Sequence, residues 1–183
     1  LTPQAHANDS HTIIENLPAE GDAIKTANVF APGKKVHVGP VTIKPRYNPD
    51  SKSGPVENAE QRFDVRQQTA LAAGWMLGSI KYLSEAGADT ITLFESHGRA
   101  GYSSGNTLFP VYNAFNSLRK LKPARVVRTS CNEPLIVTTL LVEDEQSQRH
   151  LILINHTSGR KFVTVAGTLY NLGDNEIQFI SMK

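Results

Sequence analysis

The sequence predicts an α/β protein in which strands alternate with helices, followed by a segment that is entirely β. From residue 39 to residue 121 the order of patterns is strand, loop, helix, strand, loop, helix, and crossovers of that length join parallel strands. After residue 122 the chain changes to short β-rich runs spaced about 8 to 12 residues apart, which is typical of an antiparallel sheet or half a sandwich. We therefore predict two domains, residues 1–122 and residues 123–183.

Local patterns predict the elements of the first domain. Residues 40–46, PVTIKPR, form a short β-rich run closed by prolines, which predicts a strand that leads into a polar loop. Apolar residues recur at spacings of three and four over residues 65–86, which predicts a helix that stops at Gly87. The apolar run at residues 90–94 predicts a strand buried on both faces. A proline in the first turn and basic residues in the last predict a helix over residues 110–121.

Composition excludes several classes of function. The 19 basic and 17 acidic side chains give a net charge of +2 and are scattered, so no basic patch for nucleic acid or an anionic membrane is predicted. No apolar run approaches the roughly 18 residues of a transmembrane helix. The single cysteine, Cys131, allows no intrachain disulfide and is interpreted as a small buried apolar residue. Phosphate loops, dinucleotide fingerprints and serine nucleophile elbows are absent from the sequence, and we predict no cofactor.

The first residues, LTPQAHANDSH, have none of the features of a natural amino terminus or a signal peptide: no methionine, no basic segment and no apolar core. We therefore expect the chain to be a fragment of a longer protein. The sequence leaves the cellular compartment open, with the cytoplasm favoured.

Polar side chains follow three consecutive predicted strands, at the positions where ligands bind in parallel α/β proteins. They are His6, Asn8 and Asp9 after the first strand, Lys44, Arg46 and Asn48 after the second, and Glu95 and His97 after the third. Glu95 leaves an apolar strand and enters the crevice, although a surface or capping carboxylate stays an alternative. The histidines are candidates for proton transfer or polar recognition, or else are ordinary hydrogen-bonded loop residues.

Lys44 and Arg46 are two residues apart, so they point the same way if the strand continues through them. Two cations that converge on one point suit a carboxylate, a lactone carbonyl or another oxyanion, whereas the alternative is a solvated rim. A metal site built from His6, Asp9, Glu95 and His97 would have suitable ligand types. Their spacing matches no compact metal signature, and we predict no metal.

The stretches TPQAHANDSHTIIENL, GPVTIKPRYNP and ADTITLFESHGRAGY together resemble the carboxyl half of the barrel in the D-apionate lactonase family. The resemblance covers about residues 1–121. It implies that the chain is the carboxyl-terminal portion of a (β/α)8 TIM barrel followed by an all-β, sandwich-like domain. TPQAHA, PVTIKPR and TITLFES then correspond to strands six, seven and eight, and residues 110–121 to the last barrel helix. The remainder of the barrel would come from missing residues or from another chain.

The same resemblance implies the chemistry, which is the opening of a sugar lactone by water. Retaining glycosidases of the related clan A place a nucleophilic glutamate at the end of strand seven and need two carboxylates about 5 Å apart. Here that strand carries Lys44 and Arg46 instead, which favours a lactone over a glycoside. The predicted roles are general base for Glu95 or His97, oxyanion or carboxylate clamp for Arg46 with Lys44, and hydroxyl binding or proton relay for His6, Asn8, Asp9 and Asn48.

Two other functions stay open at this stage. One is a clan A type glycoside hydrolase that acts on a glycan and uses Glu95 as one of its carboxylates. The other is a non-catalytic sugar-binding protein of the same fold. All three predict a small-molecule sugar lactone or a glycan as the partner.

Overall fold

The part of the chain before residue 123 contains helices and two parallel strands. A computed structural model describes residues 1–2, 9–44 and 63–182. In chain order the elements of this part are α1 (Ser10–Glu15), α2 (Leu17–Phe30), β1 (His37–Val41), a 3-10 turn (Val65–Gln68), α3 (Ala70–Glu85), β2 (Thr90–Leu93), the short hairpin strands β3 (Ser103–Ser104) and β4 (Thr107–Leu108), and α4 (Pro110–Lys120).

The strands β1 and β2 pair in parallel, with His37 opposite Thr90 and Val41 opposite Leu93. The first residue of the chain lies beside β1, because the Thr42 amide donates to the Leu1 carbonyl at 3.0 Å. The parallel order that the alternating pattern predicts is therefore present in the described residues.

Helix α3 is the centre of the hydrophobic core. Its residues Trp75, Met76 and Leu77 are fully buried, and it packs against both α2 and α4. Glycine allows α2 and α3 to approach closely, since a Cβ atom at Gly78 would lie 2.6 Å from a methyl carbon of Leu17. The 16-residue helix is shorter than the predicted one because residues 65–68 form a 3-10 turn and Thr69 is extended.

Within residues 123–182, which the structure describes, the regular elements are all strands. They are β5 (Pro123–Val127), β6 (Val137–Asp144), β7 (Arg149–Asn155), β8 (Lys161–Val165), β9 (Thr168–Leu172) and β10 (Ile177–Ser181). An antiparallel sheet has the order β10-β7-β6-β5, and β8 and β9 form a separate hairpin. The hairpin turn places Ala166 and Gly167 at positive φ, so the β-rich stretch KFVTVAGTLYNL contains two strands.

The β sheet packs on α3 without a break in the core. Leu140 and Ile152 of the sheet belong to the same buried cluster as Trp75. The other face of the sheet packs on the β8–β9 hairpin, where Cys131 is only half-buried. Secondary structure changes character at Pro123, but a division into two domains at that point stays a prediction.

The environment of β2 differs from the prediction of a strand buried on both faces. Thr90 and Thr92 are exposed, and Ile91 and Leu93 are half-buried. The reason is that, within the described residues, β1 and β2 form a sheet of two strands, and one of its faces packs on the core. None of the described helices has the length and apolar character that a membrane crossing requires.

Candidate functional site

A narrow cleft lies at the carboxyl ends of β1 and β2. Its walls come from three segments: the residues after β1, the residues before α3 and the loop after β2. The lining residues are Thr42, Ile43, Lys44, Phe63, Asp64, Gln67, Glu95 and Ala100. The structure therefore brings Lys44 and Glu95, which are 51 positions apart in the sequence, to one site. Adjacent parallel strands make this possible because their carboxyl ends lie at the same edge of the sheet.

Glu95 begins a tight loop that folds back on itself. Phe94 adopts φ 53° at the end of β2, and the Tyr102 amide donates to the Glu95 carbonyl at 3.1 Å. Gly98 has φ 100°, which favours glycine. The loop turns Glu95 out of the strand and into the cleft with few residues, which is why glycines cluster after it in the sequence.

His97 takes a different direction from Glu95. Its side chain is exposed, and its Nδ1 lies 3.2 Å from Ser103 Oγ on β3. It is not among the residues that line the cleft. Of the two predicted general bases, the structure brings only Glu95 to the cleft that Lys44 lines.

Asp64 and Arg66 form a pair beside the cleft that sequence reasoning missed. Arg66 donates from Nη2 to Asp64 Oδ2 at 2.6 Å and from Nε to Asp64 Oδ1 at 2.9 Å. These hydrogen bonds to Asp64 raise the pKa of the Arg66 guanidinium. A signal existed in the sequence, because an acidic residue directly before a helical pattern is typical of an amino-terminal cap, as Asp64 is for the 3-10 turn.

Gln67 is a second missed residue of the cleft. It is buried, and its Nε2 donates to the Gly101 carbonyl at 3.4 Å. Nearby, the Arg99 guanidinium carbon lies 3.9 Å from the centre of the Phe63 ring, within the range of a cation–π contact. These contacts connect the loop after β2 to the segment before α3, so they hold two walls of the cleft together.

Asp9 occupies a structural position in this fold. It is the amino-terminal cap of α1, where Oδ1 accepts from the Thr12 amide at 2.9 Å and Oδ2 accepts from the Thr12 hydroxyl at 2.6 Å. These hydrogen bonds lower the pKa of the Asp9 carboxyl. The remaining predicted site residues, His6, Asn8, Arg46 and Asn48, lie outside the described residues.

Potential metal ligands do not gather in the described ranges. No group of three or more histidine, cysteine, aspartate or glutamate side chains within residues 1–2, 9–44 and 63–182 could hold a metal ion. The residues that line the described cleft include two acids, one lysine and one glutamine.

The chain shares its fold with parts of two larger proteins of known structure. The chain is similar to SrfJ from Salmonella typhimurium, with a TM-score of 0.57 and 11% identity over 89% of this chain and 38% of that one. It is also similar to CelM2, a bifunctional glucanase-xylanase protein from a metagenome library, with a TM-score of 0.50 and 11% identity over 99% of this chain and 40% of that one. At these identities the likeness shows the fold, and this chain spans about two fifths of each neighbour's length.

The sequence places the chain within a particular family. The sequence model for the D-apionate lactonase TIM barrel domain matches residues 1–123, and the chain belongs to this family. The resemblance found in the sequence is thereby confirmed. No curated protein matches the sequence.

Proposed function

We propose that the intact protein is a sugar-acid lactonase, which uses water to open the ring ester of a lactone such as D-apionolactone. The observation that carries the proposal is that Glu95 and Lys44 line one cleft at the carboxyl ends of adjacent parallel strands. Membership of the D-apionate lactonase family supports the type of bond. CelM2, whose fold the chain shares, is a glucanase-xylanase, and this supports a carbohydrate substrate.

In this mechanism Glu95 is the general base. It takes a proton from a water molecule as the water oxygen forms a bond to the lactone carbonyl carbon. The carbonyl oxygen becomes an oxyanion, which Lys44 stabilises, a role that the proposal also assigns to Arg46. Collapse of the tetrahedral intermediate breaks the bond to the ring oxygen, and this oxygen takes the proton back from Glu95. The products are a hydroxyl group and a carboxylic acid, which ionises, so that atoms and charge balance.

The same proposal assigns β1 and β2 as the seventh and eighth strands of a (β/α)8 barrel. Residues 1–2 beside β1 would belong to the sixth strand, and the other strands would come from the rest of the protein or from another chain. The exposed Thr90 and Thr92 would then face the barrel interior. Residues 123–183 would be the sandwich-like domain that accompanies the barrel. The predicted hydroxyl-binding roles of His6, Asn8, Asp9 and Asn48 belong to this proposal too, although Asp9 caps a helix in the structure.

A glycoside hydrolase is the alternative, and one observation favours it. Asp64 and Glu95 both line the cleft, and glycoside hydrolysis uses two carboxylates. Asp64 already accepts two side-chain hydrogen bonds from Arg66, and a carboxylate held in this way is a weaker candidate for a nucleophile or an acid. We therefore place the lactonase first.

A substrate panel tests the proposal with the full-length protein. Initial rates on sugar-acid lactones are compared with rates on aryl glycosides at neutral pH, after subtraction of spontaneous lactone hydrolysis. We expect turnover of at least one lactone and none of the glycosides. Turnover of glycosides with no acceleration of any lactone would replace the lactonase with the glycosidase.

A further inference from the structure

The cleft that Glu95 lines has room for about one water molecule. Its volume is about 10 Å³, and a polar cavity of about 10 to 15 Å³ is the smallest that holds a water molecule. The ring of a sugar lactone is far larger than this space, so it stays at the mouth of the cleft. Lys44 and Glu95 are only half-buried, and the cleft opens to solvent beside them. Its inner part therefore suits the attacking water and not the substrate.

Gln67 is the most buried of the polar residues that line the described walls of the cleft. Only 3% of it is exposed, and its backbone amide donates to the Asp64 carbonyl at 2.9 Å within the 3-10 turn. Polar side-chain atoms at such burial are in general hydrogen-bonded. The partners of Gln67 Nε2 and Oε1 therefore indicate what this side chain does in the cleft.

The Gly101 carbonyl fixes the orientation of the Gln67 amide. The amide atom that faces it at 3.4 Å is Nε2, since a carbonyl oxygen only accepts hydrogen bonds and Oε1 cannot donate one. Within residues 1–2, 9–44 and 63–182, no group donates to Oε1. This atom is also not one of the fully buried polar atoms that lack a partner. Because Gln67 lines the cleft, its Oε1 is an unused acceptor that a water molecule in the cleft can reach.

Gln67 and Glu95 are connected through the glycine loop. Gly101, whose carbonyl accepts from Gln67, forms a β-bridge with Glu95. The acceptor in the 3-10 turn and the carboxylate after β2 are thus held by the same short piece of backbone. Groups that line a space of this size surround the same molecule, so one water molecule can contact both. An arrangement fixed before the substrate arrives lowers the entropic cost of the reaction.

We infer that Gln67 holds the attacking water molecule against Glu95. Oε1 accepts one hydrogen of the water, and the Glu95 carboxylate takes the other as a proton while the water oxygen bonds to the lactone carbonyl carbon. Gln67 exchanges no proton, because the hydrogen that it holds stays on this oxygen and becomes the acid proton of the product. The inference rests on the proposed function for the bond that is opened, and it adds the residue that places the nucleophile.

The substitution Gln67→Met tests the inference in the full-length protein. Methionine is about as long as glutamine and fills the same space, but it lacks both amide atoms. We expect kcat for a sugar-acid lactone to fall about tenfold, as for the loss of one or two hydrogen bonds. KM should stay within about twofold of wild type, since the substrate does not contact Gln67, and the temperature of thermal unfolding should stay close to that of wild type.

Gln68→Met is the matched control, because it makes the same change at the next position of the 3-10 turn, outside the cleft. It should keep the wild-type kcat. A kcat in Gln67→Met equal to that of wild type would overturn the inference. So would a rise in KM that accounts for the whole loss of kcat/KM, because Gln67 would then bind the substrate and not the water.

Crystal structures of the full-length protein without substrate separate the failure of this inference from the failure of the proposed function, because they require no turnover. In wild type we expect one ordered water molecule within about 3.2 Å of both Gln67 Oε1 and a Glu95 carboxylate oxygen. Gln67→Met should lose this water while Glu95 stays in place. Such a water in a protein that turns over no lactone would remove the lactonase and keep the water site.

Two structural results would contradict the inference. The first is a wild-type structure with no water molecule between Gln67 and Glu95. The second is a Gln67→Met structure in which the water remains and Glu95 is displaced, because Gln67 would then act only by holding the loop.

Discussion

Gly101 packs directly against the backbone of Glu95. A Cβ atom at Gly101 would lie 2.7 Å from the Glu95 carbonyl oxygen and 2.9 Å from both the amide nitrogen and the carbonyl carbon of His97. All three atoms belong to the backbone, so no side-chain rotation can relieve the contact. The loop that presents Glu95 to the cleft can therefore close in this form only with glycine at position 101.

Gly101→Ala should open this loop and displace Glu95. We expect a fall in kcat/KM of at least tenfold in the full-length protein, with a loss of about 1 to 3 kcal/mol in the free energy of unfolding, as for other overpacked sites. Gly159→Ala is the matched control, because no heavy atom lies within 4 Å of the Cβ it would add. Wild-type activity and stability in Gly101→Ala would show that the loop has another closed form.

Lys81 fixes α3 to the β sheet through a buried network. Its ammonium donates to Glu85 Oε1 at 2.5 Å and to the Thr129 carbonyl at 2.9 Å, and its side chain is only 5% exposed. Lys81→Met leaves the largely buried Glu85 carboxylate, which still accepts from the Thr129 amide, without its cation, and we expect a loss towards the lower end of the about 3 to 5 kcal/mol of fully buried pairs. Urea titration of wild type and Lys81→Met measures the difference in their free energies of unfolding.

The exposed pair of Lys25 with Asp22 is the control for that measurement. Its N–O distance is 2.8 Å, but both side chains are more than 60% exposed, and pairs of this kind contribute about 1 kcal/mol or less. Lys25→Met should therefore change the free energy of unfolding far less than Lys81→Met. Equal effects would mean that the Lys81 network does not join the helix to the sheet.

Glu20 makes the stability of the fold depend on pH. It is 6% exposed, and neither carboxylate oxygen has a hydrogen-bond partner within the described part of the chain. Burial raises its pKa from 4.5 to about 7. As pH rises from 4.5 to about 7, the unfolded chain loses the proton and the folded one keeps it, so the stability falls. Above pH 7 the loss, about 3 kcal/mol, is complete.

Glu20→Gln removes that dependence, since its amide does not titrate. We expect the variant to be more stable than wild type at pH 8 and the two stabilities to converge towards pH 4.5. Urea titrations at both pH values measure the difference, with Glu145→Gln at an exposed position as the control. If the free energies of unfolding of Glu20→Gln and wild type differ by the same amount at pH 8 and at pH 4.5, Glu20 does not titrate between these pH values.

The sequence predicted best where a pattern has a purely local cause. The spacing of apolar residues predicts the helix α3. The short β-rich runs predict the antiparallel sheet after residue 122. The start of α3 at Ala70 was missed because Asp64 caps a 3-10 turn, which shares the same apolar spacing. The turn between β8 and β9 is hard to predict, since Ala-Gly is a weaker turn signal than Asn-Gly.

The candidate site was predictable only in part. The convergence of Lys44 and Glu95 follows from parallel strands, and the alternating pattern was sufficient to expect it. Asp64 and Gln67 were not predictable as cleft residues, because their position depends on how the segment before α3 folds back over the strand ends. The choice between Glu95 and His97 also required the structure, since the direction of each side chain depends on the glycine loop.

The kcat of lactone hydrolysis in Glu95→Gln tests the account most directly. The variant is measured in the full-length protein at pH 7 beside His97→Gln, with thermal unfolding as the check that both remain folded. If Glu95 is the general base, its substitution should lower kcat by about 10²- to 10⁴-fold, whereas His97→Gln, which changes a side chain outside the cleft, should stay within a few-fold of wild type. A folded Glu95→Gln variant with wild-type kcat would contradict the account.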